Sequence, residues 1–503
     1  MEQNQTIEQI QNFKGKYPKQ PWYLFFSEMW ERFCFYGMRG MLVVFMVGHL
    51  NMNETIANLQ YGATQAWVYA FTFIGGLFAD KILGFRKSLF WGGILMVAGS
   101  IILAIDPVNF FFIGIGFTIV GTGFFKPNIS SMVGQLYKDD DPRRDAGFSF
   151  FYMGVNLGAL IGGYICIAVA EGSLWQSIVP EHLRWNVGFG FAAIVMIISL
   201  LTFTQTQKSL GSIGLSPLKH FEKSKRRLWE SSTIIGSLLI VPIIILMVKN
   251  VEYTKWFMIF IGPFSLLYLL YEMRSFSVLE NKKLIAAVIF MLFSIAFWAF
   301  FEQSGGSLSL FAANNLNNEV LGVTLSPNGV NNSANSLFVI GFAALVGIVW
   351  LWMNKRKIEP NTVVKFGLAF LFLAGGFWIF YYTKFFSSAD GRTSLGLFTF
   401  GWFIITFGEL CLSPIGMSVM TKLSPQKTQA VIMGMWFLAS AYGQYFAGLL
   451  GANIAEASEN SSNLDKLNVY ADGYQQLALY ALLLGIILII ISPFVKKLMQ
   501  DVK

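Results

Sequence analysis

Residues 284–303 read LIAAVIFMLFSIAFWAFFEQ, eighteen residues without a charge and then Glu302. Wound as a helix at about 1.5 Å per residue, such a run comes close to crossing roughly 30 Å of hydrocarbon. No water reaches backbone groups there, so a spanning run is either a helix or a strand of a closed barrel. Here the apolar residues are continuous rather than alternating, which excludes a barrel. Similar runs recur at 187–203, 234–248 and 477–495. The chain of 503 residues is 55% hydrophobic, holds fifty phenylalanines and is only 13% charged. Soluble domains are about 25% charged, so this chain lacks the polar surface to face water all round. The sequence is that of an all-α membrane protein.

The formal charge of +8 does not imply a nucleic-acid partner once its distribution is considered. With a cytoplasmic N-terminus and alternating spans, about 27 of the 36 Lys and Arg fall in cytoplasmic loops and tails, roughly six outside and three within the membrane. That bias sets membrane orientation. The basic stretch KHFEKSKRR at 219–227 therefore reads as a topology anchor. Residues 1–20 are polar and precede a long first helix, so no cleavable signal is expected. Cys34, Cys166 and Cys411 lie in apolar segments far apart in sequence and read as packing residues, with no disulfide or metal site.

The periodicity predicts helices at 21–50, 58–81, 87–106, 109–136, 146–171 and 185–206, then a basic polar stretch at 207–229 and two helices at 230–249 and 254–273. Six more follow at 284–313, 333–353, 363–383, 394–421, 428–455 and 473–495. Fourteen spans put both termini in the cytoplasm. The expected organisation is a six-helix bundle at 1–206, a basic linker with an inserted helix pair at 207–283, and a second six-helix bundle at 284–503. Two such bundles around a central cavity, with cargo near the midplane, are a recurrent transporter plan. The stretches 314–332 and 458–472 are polar and turn-rich and read as external loops. Trp350 and Trp352 read as anchors at the membrane interface.

Seven charges fall deep within the predicted spans, away from their ends: Glu28, Glu31, Arg32 and Arg39 on the first helix, then Lys126, Glu302 and Glu409. Each costs about 2.5–3.5 kcal/mol at a helix centre, or roughly 20 kcal/mol together if they faced lipid. They must pair or line a wet cavity. Glu28, Glu31 and Arg32 share one helix face as i, i+3 and i+4 neighbours, and Arg39 lies two turns beyond Arg32 on nearly the same side. Buried ion pairs stabilise a fold less than apolar packing does, so this concentration of charge on separate helices points to function. Asp80, Arg86 and Lys87, in the loop after the second helix, read as a structural hinge and charge relay.

No G-x-x-x-x-G-K-[ST] loop and no soluble domain able to hydrolyse ATP is present. His49, His182 and His220 fall near helix ends or in loops, leaving carboxylates as the titratable groups deep in the membrane. A carboxylate beside a movable cation changes its proton affinity as that cation comes and goes. One charge crossing 100 mV is worth about 2.3 kcal/mol, enough to drive modest accumulation of a solute. Nothing here calls for a cofactor, and the proton gradient suffices as the energy source.

EMWERFCFYG at 28–37 resembles the ExxERFxYYG motif of the proton-dependent oligopeptide transporter family. GGLFADKILG at 75–84 resembles that family's version of the major facilitator loop motif, and FSFFYMGVNLGAL at 148–160 its fifth-helix signature. FFKPN at 124–128, FEQ at 301–303 and GEL at 408–410 fit as well. The resemblance runs over essentially the whole chain and includes the two extra helices of bacterial members. It implies the major facilitator fold and proton-coupled uptake of di- and tripeptides across the bacterial inner membrane by alternating access, in a protein that is not an enzyme. Carried onto matching positions, it implies that Arg39 and Lys126 hold the peptide carboxylate and Glu409 the amino group. It further implies a cavity lined by Tyr36, Tyr69, Tyr152, Asn156, Trp298, Asn335, Ser413, Trp436 and Ser440. Glu28, Glu31 and Arg32 would carry proton coupling, with Glu302 a second titrating site paired to Arg39 and a Lys126–Glu409 pair closing the cytoplasmic side. The partners expected are small peptides, protons and the lipid bilayer, with the chain acting as a monomer.

The residues themselves agree with this chemistry: a zwitterion needs a cation and an anion held apart, within aromatic walls tolerant of varied side chains. Two other readings are open: a carrier of a different anionic or zwitterionic solute, and a peptide receptor that does not transport. Glu409 favours an amino-group partner and so peptides. The sequence departs from the family at Phe35, where the first tyrosine of the motif's pair is expected. No histidine is available on the second helix, which leaves carboxylates to carry protons. Restoring the hydroxyl with Phe35→Tyr is expected to change the ranking of dipeptides in competition uptake assays; an unchanged ranking would show that this position has no part in cargo preference.

Overall fold

The structure, a computed structural model, describes residues 5–502 apart from 14, 16–17, 139–140, 142, 321, 426–427, 457–460 and 501, and apart from the side chains of 414, 415, 417 and 430. A single turn, α1 (Ile7–Gln11), precedes the long helices α2 (Gln20–Gly48), α3 (Glu54–Phe78), α4 (Phe85–Ile105), α5 (Phe111–Gln135), α6 (Arg143–Ala170) and α7 (Arg184–Thr206). Next come α8 (Lys223–Lys249) and α9 (Val251–Glu272), the inserted pair. The rest are α10 (Val278–Phe301), the short α11 (Ser307–Asn315), α12 (Pro327–Lys355), α13 (Thr362–Tyr382), α14 (Leu395–Leu423), α15 (Gln429–Glu456) and α16 (Asn463–Met499). Among the described residues, and leaving aside α1 and α11, fourteen long helices stand where fourteen spans are predicted. Among the described residues, eleven spans meet a strict test of length and apolarity. The long helices outside it are α2, α5 and α15, which carry Glu28 to Arg39, Lys126, and Trp436 with Ser440.

The backbone contacts gather the chain into two compact units, Met1–Met41 with Trp67–Asn250, and Leu42–Ala66 with Val251–Lys503. In the first unit small residues let helices approach closely, as in many membrane bundles. A Cβ on Gly158 of α6 would fall 2.8 Å from Arg32 Cβ, and one on Gly162 would fall 2.6 Å from Phe33 Cα. Glycine there seats α2 directly against α6. After α3 the chain passes a five-residue π-helical turn, Ala79–Leu83, and Gly84, whose φ of 77° suits glycine. Buried Arg86 donates to Gly211 O at 2.5 Å, Ser216 Oγ donates to Ile82 O at 2.6 Å, and Lys87 pairs with Glu230 of α8 at 2.7 Å. Arg86 and Lys87 thus fasten the segment after α7 rather than joining Asp80 in a relay. Before α6, hydrogen bonds from Arg143 hold the Asp141 carboxyl down at about 2.

In the second unit α13 packs between α14 and α16 over an aromatic core in which Phe380 stacks on Phe398 at 4.6 Å and Trp402 is almost fully buried. The segment Leu42–Ala66 belongs to this unit. A Cβ on Gly62 would fall 2.6 Å from Gly448 Cα, and Glu54 meets Lys466 Nζ at 2.6 Å and the Tyr470 hydroxyl at 2.5 Å.

Four boundaries differ from the sequence reading. Helix α12 begins at Pro327, so Asn328, Asn331 and Asn332 are helical and not part of a loop. Ser326 caps it by accepting from Gly329 N at 2.9 Å, and proline occupies the first turn. Helix α16 begins at Asn463, capped by Ser462 accepting from Asp465 N, so residues 463–472 are helical; 458–460 lie outside the described residues. In both places polar composition hides an N-terminal capping signature. Helix α8 starts at Lys223, which winds part of the basic cluster into a helix. Finally, the span expected at 284–313 is interrupted by a 3₁₀ turn, Glu302–Gly305, between α10 and α11. The stretch 314–332 also holds a two-stranded ribbon, Glu319–Val320 with Val323–Thr324.

Candidate functional site

In the first unit, the helical spacing of Glu28, Glu31 and Arg32 brings the three together on the face of α2 that Gly158 admits. Arg32 Nε lies 2.9 Å from Glu28 Oε1 and 2.6 Å from Glu31 Oε2, and the three side chains are at most 5% exposed. The approach is ionic rather than well aligned: neither Glu31 oxygen has a hydrogen-bond partner. Two carboxylates therefore share one guanidinium out of reach of water. That arrangement holds two acids and one base together in low-dielectric surroundings.

Arg32 Cζ sits 5.6 Å from the centroid of the Phe35 ring, and Lys126 Nζ lies 5.8 Å from that ring and 4.1 Å from the ring of Tyr69. Arg32, Phe35, Lys126 and Tyr69 thus form a column in which aromatic faces seat cations. Phe35 is 2% exposed, so a hydroxyl added there would lie against the seat of Lys126 and away from the surface. Arg39 lies over Tyr36 at 5.6 Å. Lys126 stands on α5 beside Pro127, whose ring supplies no N–H to the helix. On α6, Asn156 is buried and donates to Tyr152 O at 2.9 Å, while Tyr152 is 38% exposed.

The second unit holds the remaining acidic site residues. Glu302 is buried where α10 ends. The turn that follows is held by Gln303, which donates to Ala299 O and Ala447 O at 3.0 and 2.9 Å and accepts from Ser307 Oγ at 2.7 Å. Glu409 on α14 is buried, and Asn335 Nδ2 donates to its Oε2 at 2.8 Å. Ser413 lies one turn further along α14 and is half-buried. Trp436 packs over Gly416, where a Cβ would fall 2.5 Å from Trp436 Cζ2, and Trp298 packs against Gly443. Ser440 donates to Trp436 O at 3.3 Å within α15.

Of the residues named from the sequence, the structure brings Glu28, Glu31 and Arg32 together, Lys126 with Tyr69, Arg39 with Tyr36, and Glu409 with Asn335. The sequence reading passes over Asn331, Trp402 and Thr406, which join the same polar network of the second unit, and the Glu54–Lys466–Tyr470 cluster. The asparagines at 328, 331, 332 and 335 repeat at helical spacing, a polar stripe that the loop assignment concealed. Cys34, Cys166 and Cys411 are buried free thiols.

Residues 86–470 match the model of the POT family. The chain belongs to that family. It is 33% identical to the uncharacterized transporter YclF of Bacillus subtilis, over 97% of this chain and 96% of YclF. It is 30% identical to the di-/tripeptide transporter of Lactococcus lactis subsp. cremoris, over 95% of this chain and 96% of that one. A crystal structure of a mutant peptide transporter POT in complex with alafosfalin covers 99% of this chain and all of its own, with a TM-score of 0.82 and 31% identity. As a POT-family protein with this fold, the chain is a multi-pass membrane transporter and not an enzyme.

The shared guanidinium makes a stability prediction. Arg32→Met leaves two buried carboxylates without their cation and is expected to destabilise the protein by about 3–5 kcal/mol at neutral pH. Glu31→Gln, which keeps the Glu28–Arg32 pair, is expected to cost far less. Thermal unfolding in detergent measures both.

Proposed function

We propose that this POT-family chain is a proton-coupled symporter that carries di- and tripeptides into the cytoplasm by alternating access. One observation carries the reading: the first unit presents Arg39 and Lys126 seated on aromatic rings, whereas the second presents the buried carboxylates Glu302 and Glu409. A peptide is a zwitterion, and these are the two charges needed to grip its ends. In this reading Arg39 and Lys126 take the carboxylate and Glu409, held by Asn335, takes the amino group. Tyr36, Tyr69, Tyr152, Asn156, Trp298, Ser413, Trp436 and Ser440 form walls that accept varied side chains. The names of the Lactococcus relative and of the solved peptide transporter support the cargo class.

Proton coupling rests on the Glu28, Glu31 and Arg32 group, with Glu302 as a second titrating site. When Glu31 takes a proton, Arg32 is shared with one carboxylate fewer, and the balance of charge on α2 changes. Glu302 would exchange Arg39 as partner, and Lys126 with Glu409 would close the cytoplasmic side. The chain is organised as six helices, an inserted pair and six helices, with both termini cytoplasmic as the Lys and Arg distribution requires. It acts as a monomer and needs no cofactor beyond the proton gradient.

Glu28→Gln and Glu31→Gln test the coupling. Each is expected to abolish acid-driven uptake of dialanine while leaving counterflow exchange partly intact, because exchange requires no net proton movement. Full acid-driven uptake in both variants would remove these residues from the mechanism.

A further inference from the structure

The second unit contains a hydrogen-bonded ladder whose two ends meet the carboxylates that the proposed function uses. One end is the 3₁₀ turn that begins at Glu302. Ser304, two residues on, has its carbonyl taken by Asn331 Nδ2 of α12 at 2.7 Å and by Ser309 Oγ at 2.8 Å. Asn331 Oδ1 in turn accepts from Trp402 Nε1 of α14 at 3.1 Å. The orientation of this amide follows from chemistry, because a carbonyl only accepts and an indole N–H only donates. One turn further along both helices, Thr406 Oγ1 donates to Trp402 O at 2.8 Å and accepts from Asn335 Nδ2 at 3.2 Å. Asn335 Nδ2 also reaches Glu409 Oε2 at 2.8 Å. The sequence places these residues in register: Asn331 and Asn335 are i, i+4 on α12, and Trp402, Thr406 and Glu409 are i, i+4, i+7 on α14.

Asn331 is 1% exposed, as are Trp402 and Thr406. A buried polar group that loses its partner costs about 1–3 kcal/mol, so these rungs favour moving together over opening one at a time. Apolar side chains would pack α12 against α14 without that cost. Here a chain of directional bonds instead joins the turn bearing Glu302 to the carboxylate of Glu409.

We propose that Asn331 and Trp402 are positioning residues that transmit the state of the Glu302 turn to Glu409, so that proton occupancy at one end sets the grip on the peptide amino group at the other. This inference rests on the roles given above to Glu302 and Glu409. In this reading a change at Glu302 moves the turn that it opens, and Ser304 O shifts against Asn331. The displacement passes through Trp402 and Thr406 to Asn335, which orients Glu409. Neither Asn331 nor Trp402 touches cargo.

Trp402→Phe removes the indole N–H and leaves a smaller aromatic ring beside Phe301 and Phe380, which the indole meets edge-on. Asn331→Ala removes the central amide. The full-length variants are reconstituted in liposomes, and dialanine KM is measured across a pH series alongside counterflow at one fixed pH. Both variants are expected to flatten the pH dependence of KM by roughly fivefold, the equilibrium worth of one net hydrogen bond. Counterflow at fixed pH stays within about twofold of wild type. Equal losses in both assays would show that the ladder only holds the fold, and no change in either would show that it is idle; both results overturn the proposal. Should Asn331→Ala fail to fold, Trp402→Phe decides alone. A wild-type protein that ignores the pH gradient would instead sink the symport reading itself, before any variant is compared.

Discussion

A charge cannot remain alone in hydrocarbon, and the structure is organised around that constraint. Glu28, Glu31 and Arg32 satisfy it by sharing one buried cation between two acids, which is an incomplete solution. A pair would be neutral and static. Two carboxylates on one guanidinium are the arrangement on which the proposed proton coupling rests. The glycines of α6 serve this group first, because a side chain at Gly158 would collide with Arg32 itself.

The same constraint explains why charges elsewhere come with unusual neighbours. Lys126 and Arg39 lie over tyrosine rings, whose faces offer a cation partial compensation. Glu409 accepts from an asparagine, which steadies the carboxylate without neutralising it. Glu302 sits at a helix break, where backbone carbonyls are released to side chains such as Asn331. Partners of this kind hold a charge in position.

Much of this was legible in the sequence because the hydrocarbon imposes strong rules. Fourteen apolar runs announce fourteen helices, and a carboxylate within such a run announces a site by its cost alone. The break at Glu302 was not legible. The residues that follow, EQSGGSLS at 302–309, are polar and glycine-rich but do not mark where the helix stops, because the turn is fixed by Gln303, Ser304 and Asn331 from different parts of the chain. The starts of α12 and α16 were misread for the opposite reason. Asparagine and aspartate at 328–335 and 463–472 look like loop, yet Ser326 with Pro327, and Ser462 with Asp465, are helix-starting signals that outweigh composition. The ladder through Trp402 was hidden because a tryptophan in an apolar helix gives no sign of where its N–H points.

The most direct measurement is uptake of labelled dialanine by the purified protein in liposomes under an imposed pH gradient, acidic outside. Accumulation above the external concentration, collapsing when a protonophore dissipates the gradient, is the expected result. Uptake that only equilibrates, or that is indifferent to the gradient, would contradict the claim that protonation of these buried carboxylates drives peptide movement.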